Sequence, residues 1–166
     1  MKILLVSLIP VVLILVFSFA FLIPSSQDNL LETKKDDLKP LVNTALSICD
    51  HYIELAENDS ITTEQAKELA KEDIRKIRYS ESGYFFMYDE NYDNMLHPIQ
   101  PEMEGNNFRD LKDSEGNYFI QDIVKTGLEK GEGFTSYLWT KPGSDIPIEK
   151  VSYVKGILEW NWVVGT

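Results

Sequence analysis

The 166-residue sequence predicts an α+β domain around one antiparallel five-stranded sheet, preceded by a membrane helix and a long amphipathic helix. Three observations lead there. Charge is absent from Ile3 to Ile23. Apolar residues then recur every three or four positions as far as about residue 79. After "SESG", residues 80–83, the period drops to two, and aromatic-rich runs alternate with turn sequences to the end.

The uncharged run, at about 1.5 Å per residue, is long enough to cross a hydrocarbon core of roughly 30 Å. A cleaved signal peptide is the competing reading, but its apolar region is usually only about 7–15 residues, and no clear A-x-A site follows. Residues 1–25 are therefore expected to form an uncleaved transmembrane signal anchor, and residues 26–166 a separate domain. Lys2 precedes the span and "SSQDNLLETKKDDLK" after it mixes both signs. Positive-inside reasoning then sets the anchor in the plasma (inner) membrane with the domain extracytoplasmic. From 27 to about 57, Leu38, Leu41, Val42, Ala45, Cys49, Tyr52 and Ile53 trace one helical face, offset by Pro40. "NDSITTEQ" breaks that helix and starts a second, with Thr62 or Thr63 as cap and Glu64 and Gln65 in the first turn, ending near Tyr79. Strands are expected at 84–89, 94–97, 133–140, 148–155 and 161–165, with a crossover helix from about Asn117 to Leu128.

Composition removes several function classes. Sixteen basic against 27 acidic residues leave a net charge of −11 at pH 7, which repels nucleic acid. The one cysteine, Cys49, excludes an internal disulfide and a Cys-based zinc site; among Leu46, Ile48 and Ile53 it is expected to be a buried thiol. "DENYDNMLHPIQ" has Asn94 where a calcium loop needs glycine and Gln100 where it needs glutamate, and reads as a hairpin turn. Histidines at 51 and 97 alone, without G-x-S-x-G or H-E-x-x-H, make no catalytic constellation. No enzyme, metal or cofactor is expected.

Strand parity sorts the remaining aromatics. Tyr84, Phe86 and Tyr88 share one face of the first strand, and Phe85, Met87 and Asp89 the other. A four-residue loop, Glu90 to Asp93, pairs Tyr88 with Met95 and Phe86 with His97; a five-residue loop inverts the faces. The four-residue register is preferred because it gathers polar-tipped groups on one wall. Thr135, Tyr137 and Trp139 share a face of the third strand, and Lys150, Ser152 and Val154 oppose Val151, Tyr153 and Lys155 on the fourth. Phe85, Met87, Phe119, Phe134 and Trp162 are expected to be plain core. Arg78 and Arg75 are the cationic candidates, and Arg78 has two uses: clamping a carboxylate at the pocket mouth, or pairing with the last helix carbonyls for about 0.3–1 kcal/mol.

Four blocks, "IRKIRYSESGYFFMYDENYDNMLHP", "EGNNFRDLKDSEGNYF", "GFTSYLWTKPG" and "KVSYVKGILEWNWVVGT", occur in an order and spacing that resemble the single Cache sensor domain. The resemblance covers about residues 70–166. It implies a PAS-like five-stranded sheet flanked by helices, in the extracytoplasmic part of bacterial chemoreceptors and sensor kinases, many of which bind small organic acids without being enzymes. It also favours the clamp reading of Arg78. The pattern's second span and output module do not follow "WNWVVGT", so the sequence reads as a sensor piece or part of a longer chain.

The expected function is a ligand-binding sensor that relays binding of a small carboxylate across the membrane in chemotaxis or signal transduction, with a homodimer as the expected assembly. Expected ligand contacts are Arg78, Tyr84, Phe86, Tyr88, Met95, His97, Tyr137, Trp139, Lys150, Ser152 and Tyr153. The alternative is a membrane-tethered interaction module with no small-molecule ligand, dimerising through its acidic first helix. A cavity between the sheet and the Gly105–Gly116 loop would discriminate the two.

Overall fold

The computed structural model describes residues 10, 14, 17, 23–80, 82–141 and 143–166. The expected anchor over 3–23 lies almost wholly outside them, and among the described residues no helix is long and apolar enough to cross a membrane. Residues 1–37 and 38–166 form two compact units, the second holding the sheet.

Helix α1 spans Ile23–Glu57 and accommodates Pro40 within it; the Thr44 hydroxyl donates to the Pro40 carbonyl at 2.9 Å. Its stripe of Val42, Ala45 and Cys49 is fully buried, and burial pushes the Cys49 thiol up to about 12. Helix α2, Thr63–Lys76, starts at a capping box on Thr62: Thr62 Oγ1 accepts from the Gln65 amide, and Gln65 Oε1 accepts from the Thr62 amide. It stops earlier than expected because Ile77 turns extended.

The strands are β1 (Phe86–Asp89), β2 (Asn94–Leu96), β3 (Glu132–Thr140), β4 (Pro147–Ile157) and β5 (Trp162–Gly165), with helix α3 (Phe119–Leu128) before β3. All pairings are antiparallel, in the order β2-β1-β5-β4-β3. The turn at Asp89 is held by its own carboxylate, which accepts the amides of Asn91 and Asp93 at 3.0 and 2.8 Å.

Alternation gives the sheet two apolar faces. On one, Phe85, Met87, Leu96, Trp162 and Val164 pack on α2 and the second-unit part of α1, through Ala66, Ala70 and Ile74 among others. On the other, Phe86, Tyr88, Tyr137, Val154 and Val163 pack on α3 through Phe119, Ile120, Ile123 and Val124. Trp162, Phe85 and Met87 are core as expected. Phe134 is not: it is 37% exposed, with the Lys39 ammonium over its ring.

Close approach of α3 to the sheet depends on two facing glycines. A Cβ on Gly156 would lie 2.5 Å from the Gly127 carbonyl oxygen, a backbone atom unable to step aside alone. Gly156→Ala should therefore destabilise the domain by about 1–3 kcal/mol, the usual range for an overpacked contact, measured as a lowered urea midpoint. An unchanged midpoint would show that α3 can lift from β4 without cost.

Candidate ligand-binding site

The α3 face of the sheet carries the candidate site. β1 and the residues before it supply Tyr84, Phe86 and Tyr88, each at most 5% exposed. A β-bulge decides what β2 adds. Met87 pairs with Leu96, as the four-residue register predicts, but Tyr88 pairs with Asn94, so Met95 is the extra residue. Met95 packs instead with the α1–α2 layer. Beyond the bulge, His97 returns to the tyrosine face, where its ring centroid lies 5.1 Å from that of Tyr84. Gly165 opposes Phe86 in the ladder, and a Cβ there would sit 2.5 Å from the Phe86 ring.

β3 and β4 complete the wall with Tyr137, Trp139 and Lys150, and α3 roofs it with Phe119, Ile120 and Ile123. Phe119 stacks on Tyr137 at 4.6 Å and 18° and tilts against Trp139 at 5.5 Å. The space enclosed is about 10 Å³, room for no more than one water. Two larger clefts, of about 210 and 260 Å³, adjoin it across Tyr84 and Trp139, which line all three. The roof is thus α3, while the Gly105–Gly116 loop borders a separate cleft of about 330 Å³ through Asp113 and Glu115, opposite Ser136, Leu138 and Glu149.

Lys150 dominates the electrostatics. Its Nζ lies 4.6, 5.0 and 5.8 Å from the ring centroids of Tyr84, Phe86 and Tyr137, a cation–π cage. Desolvation pushes its ammonium down to about 7, and no carboxylate among the described residues opposes the shift. Burial, then the Lys150 charge, pushes the His97 imidazole down to about 4, so it is neutral at pH 7. Its tautomer follows from one contact. The Gln100 amide donates to His97 Nδ1 at 3.0 Å, which leaves the proton on Nε2, 3.5 Å from the Tyr84 hydroxyl.

The hydroxyls divide in role. Ser152 Oγ donates to the Thr166 carbonyl at 2.6 Å, so the Tyr137 hydroxyl donates to Ser152 at 2.9 Å and has no proton left for a ligand. The Tyr84 oxygen faces both His97 Nε2–H and the Trp139 indole N–H. Its own proton is therefore free to point elsewhere. Burial pushes the Tyr84 hydroxyl up to about 12 and raises those of Tyr88 and Tyr137 as well, so all three stay protonated donors or acceptors.

Seven of the expected contacts meet here: Tyr84, Phe86, Tyr88, His97, Tyr137, Trp139 and Lys150. Four do not. Ser152 acts behind Tyr137. Met95 is turned away by the bulge. Tyr153 points to the opposite face, tilted against Phe134 at 5.0 Å, as parity requires for a neighbour of Ser152. Arg78 is exposed and outside the wall, its Nη1 donating to the carbonyls of Arg75 and Ile77 at 2.6 and 2.7 Å. Arg75 is also occupied, in a bidentate pair with Glu104. Phe119 is buried core as expected and, with Ile120 and Ile123, which no expectation names, also roofs the wall. Their one-face spacing in "YFIQDIVKTG" marks an apolar helix stripe but cannot say that the stripe covers a cavity.

The sequence profile of the family described as Single Cache domain 2 matches residues 30–166. The chain belongs to that family. It is 34% identical over 144 residues to the sensor histidine kinase MctS of Rhizobium johnstonii, covering 87% of this chain and 30% of MctS. It is 25% identical over 138 residues to the methyl-accepting chemotaxis protein McpP of Pseudomonas putida, covering 83% and 25%. The single Cache chain thus spans about a third or less of these relatives. Two solved structures superpose with TM-scores of 0.79 at 33% identity: a periplasmic sensor domain of a chemotaxis protein, covering 81% of this chain and 94% of that one, and a structure described as the basis for carboxylic acid recognition by a Cache chemosensory domain, covering 83% and 94%. The fold is that of a Cache sensor domain of chemoreceptors and sensor kinases.

His97 offers a direct test of the site's electrostatics. Its folded value lies below the ordinary 6.5, so the unfolded chain binds more protons between about 4 and 6.5, and stability falls as pH drops through that window. In a ¹H–¹⁵N titration, the His97 ring should stay neutral down to about pH 5. A midpoint near 6.5 would show that water reaches the ring.

Proposed function

We propose that this domain senses a small carboxylate, which pairs its negative charge with the Lys150 ammonium inside the aromatic wall. One observation carries the reading: a desolvated ammonium held over three rings with no carboxylate among the described residues to pair it. Burying a cation without a counter-charge is costly, and a bound anion removes that cost. The hydroxyls ranged beside it, Tyr84 with its free proton and Tyr88, suit the oxygens of a carboxylate, and the rings exclude water. The solved Cache domain described for carboxylic acid recognition is consistent with this ligand class. In the same proposal the domain binds without catalysing, is held extracytoplasmically by residues 1–25 in the plasma membrane, and relays occupancy to a signalling module as a homodimer.

The space under α3, about 10 Å³, is too small for any carboxylate, whereas the adjoining cleft of about 210 Å³, which Tyr84, Trp139 and Lys150 also line, is large enough. A ligand seated there meets the half-buried Lys150, and it shifts the domain between arrangements by as much as its affinity for them differs. That difference is what a sensor needs.

Unfolding of the purified protein against a panel of small carboxylates tests the proposal. A saturating ligand at a hundredfold excess over Kd should stabilise the fold by about 2.7 kcal/mol. Lys150→Met should abolish the shift and also raise the ligand-free Tm, because it removes an unpaired buried charge; Arg78→Ala should leave the shift intact. Retained binding in Lys150→Met would defeat the assignment of Lys150.

Binding should also depend on pH with a definite sign. The ligand binds the ammonium form, so affinity should weaken about tenfold per pH unit above about 7 and level off below it. For the same depressed lysine, ligand-free stability should rise from pH 7 toward 10, since only the unfolded chain is then protonated. Isothermal titration at pH 6, 7, 8 and 9 reads the first effect; a flat profile would mean that Lys150 does not meet the ligand's charge.

A further inference from the structure

The segment from His97 to Glu104 is a closed polar loop, and it joins the site to the helical layer on the other side of the sheet. Its base is pinned at Asn94, whose amide donates to the Asn106 carbonyl at 3.0 Å and whose carbonyl accepts the Gly105 amide at 2.8 Å. A 3₁₀ turn, Pro101–Met103, stiffens its centre and buries Met103. At one end the His97 ring forms part of the wall, and its tautomer is set by the Gln100 amide. At the other end Glu104 Oε1 accepts the His97 backbone amide at 2.8 Å, while both carboxylate oxygens accept from Arg75 of α2, Nη2 to Oε2 at 2.7 Å.

We propose that Glu104 is a positioning residue that sets the His97 ring in the site and passes its displacement to α2 through Arg75. The proposal rests on the carboxylate reading of the site. Its physical reason is the route. Between the two faces the sheet is filled by packed apolar side chains, whereas this connection runs around its edge strand, β2. Each link is a hydrogen bond or an ion pair with fixed direction, so movement at one end cannot be absorbed as easily as in an apolar contact. A ligand in the adjoining clefts meets Tyr84 and Trp139, which border the His97 ring, and His97 is tied through Glu104 to a helix of the opposite layer.

Glu104 itself is suited to the link. Against the desolvation that would raise it, the hydrogen bonds from Arg75 and His97 hold its carboxyl below the ordinary range. It is thus charged wherever the site operates. The groups facing the His97 ring are Tyr84 and Lys150 from the sheet, with Glu104 and Glu102 from its own loop.

The test uses the full chain in lipid nanodiscs and has two arms. In the ligand-free arm, the ¹⁵N-histidine spectrum reads the His97 titration. Removing the Glu104 charge by itself lowers the His97 midpoint, so Glu104→Gln, which keeps an acceptor for the His97 amide, gives the reference, and Glu104→Ala should titrate at least one pH unit above it as the unpositioned ring meets water. In the second arm, hydrogen exchange is followed with sodium acetate as probe. Acetate should protect both the 84–88 segment and α2 in the unmodified chain. In Arg75→Met and Glu104→Gln it should still protect 84–88 while its effect on α2 falls at least threefold. Equal His97 midpoints in Glu104→Ala and Glu104→Gln, or undiminished protection of α2 in Arg75→Met, would overturn the proposal. Absence of acetate protection anywhere in the unmodified chain would count against the carboxylate reading, and the His97 midpoints would then decide the positioning role alone.

Discussion

The Lys150 ammonium has no opposing carboxylate among the described residues, and most of the site can be derived from that one constraint. A cation without a counter-charge can be tolerated in a low-dielectric wall only if something else faces it, and here the faces of Tyr84, Phe86 and Tyr137 do so. The same charge helps to keep His97 neutral, which makes that ring a donor through Nε2 instead of a second cation. The wall therefore offers one positive charge and several neutral donors. Such a site trades stability for function, as binding sites commonly do.

The hydroxyl network then sorts which groups remain available. Ser152 spends its proton on the Thr166 carbonyl, Tyr137 spends its own on Ser152, and Tyr84 accepts from neighbours and keeps its proton free. The two phenols Tyr137 and Tyr84 thus have different roles, although both belong to the same residue type. Behind them, the absence of side chains at Gly127, Gly156 and Gly165 lets α3 and the Phe86 ring approach the sheet closely. The result is a closely packed wall behind Lys150, which is itself half-buried and borders the cleft of about 210 Å³.

Two contacts tie the wall to the rest of the domain. On the α3 side Phe119 meets Trp139 of β3 at 5.5 Å. On the β2 edge the His97 backbone is tied to α2 through Glu104 and Arg75. The relatives are sensor kinases and chemotaxis proteins several times longer than this chain, so a domain that couples its site to its helical layer has an evident use in such architectures.

Much of this was legible in the residues alone. The change of period after residue 83 placed the helices and the sheet, the capping box at Thr62 began α2, and side-chain alternation put Tyr84, Phe86, Tyr88, Tyr137, Trp139 and Lys150 on one face. Those features are local, because periodicity and capping involve residues a few positions apart. Tertiary structure alone decided the rest. The bulge that removes Met95 arises from pairing between two strands, the roof of α3 from packing across the sheet, and the capture of Arg75 by Glu104 from a contact between residues far apart in sequence. Arg78 takes its helix-end use because the carbonyls of Arg75 and Ile77 lie within hydrogen-bond reach of its guanidinium. A sequence displays which side chains share a face; only the folded chain determines which charges meet, and an unpaired Lys150 is a result of that second kind.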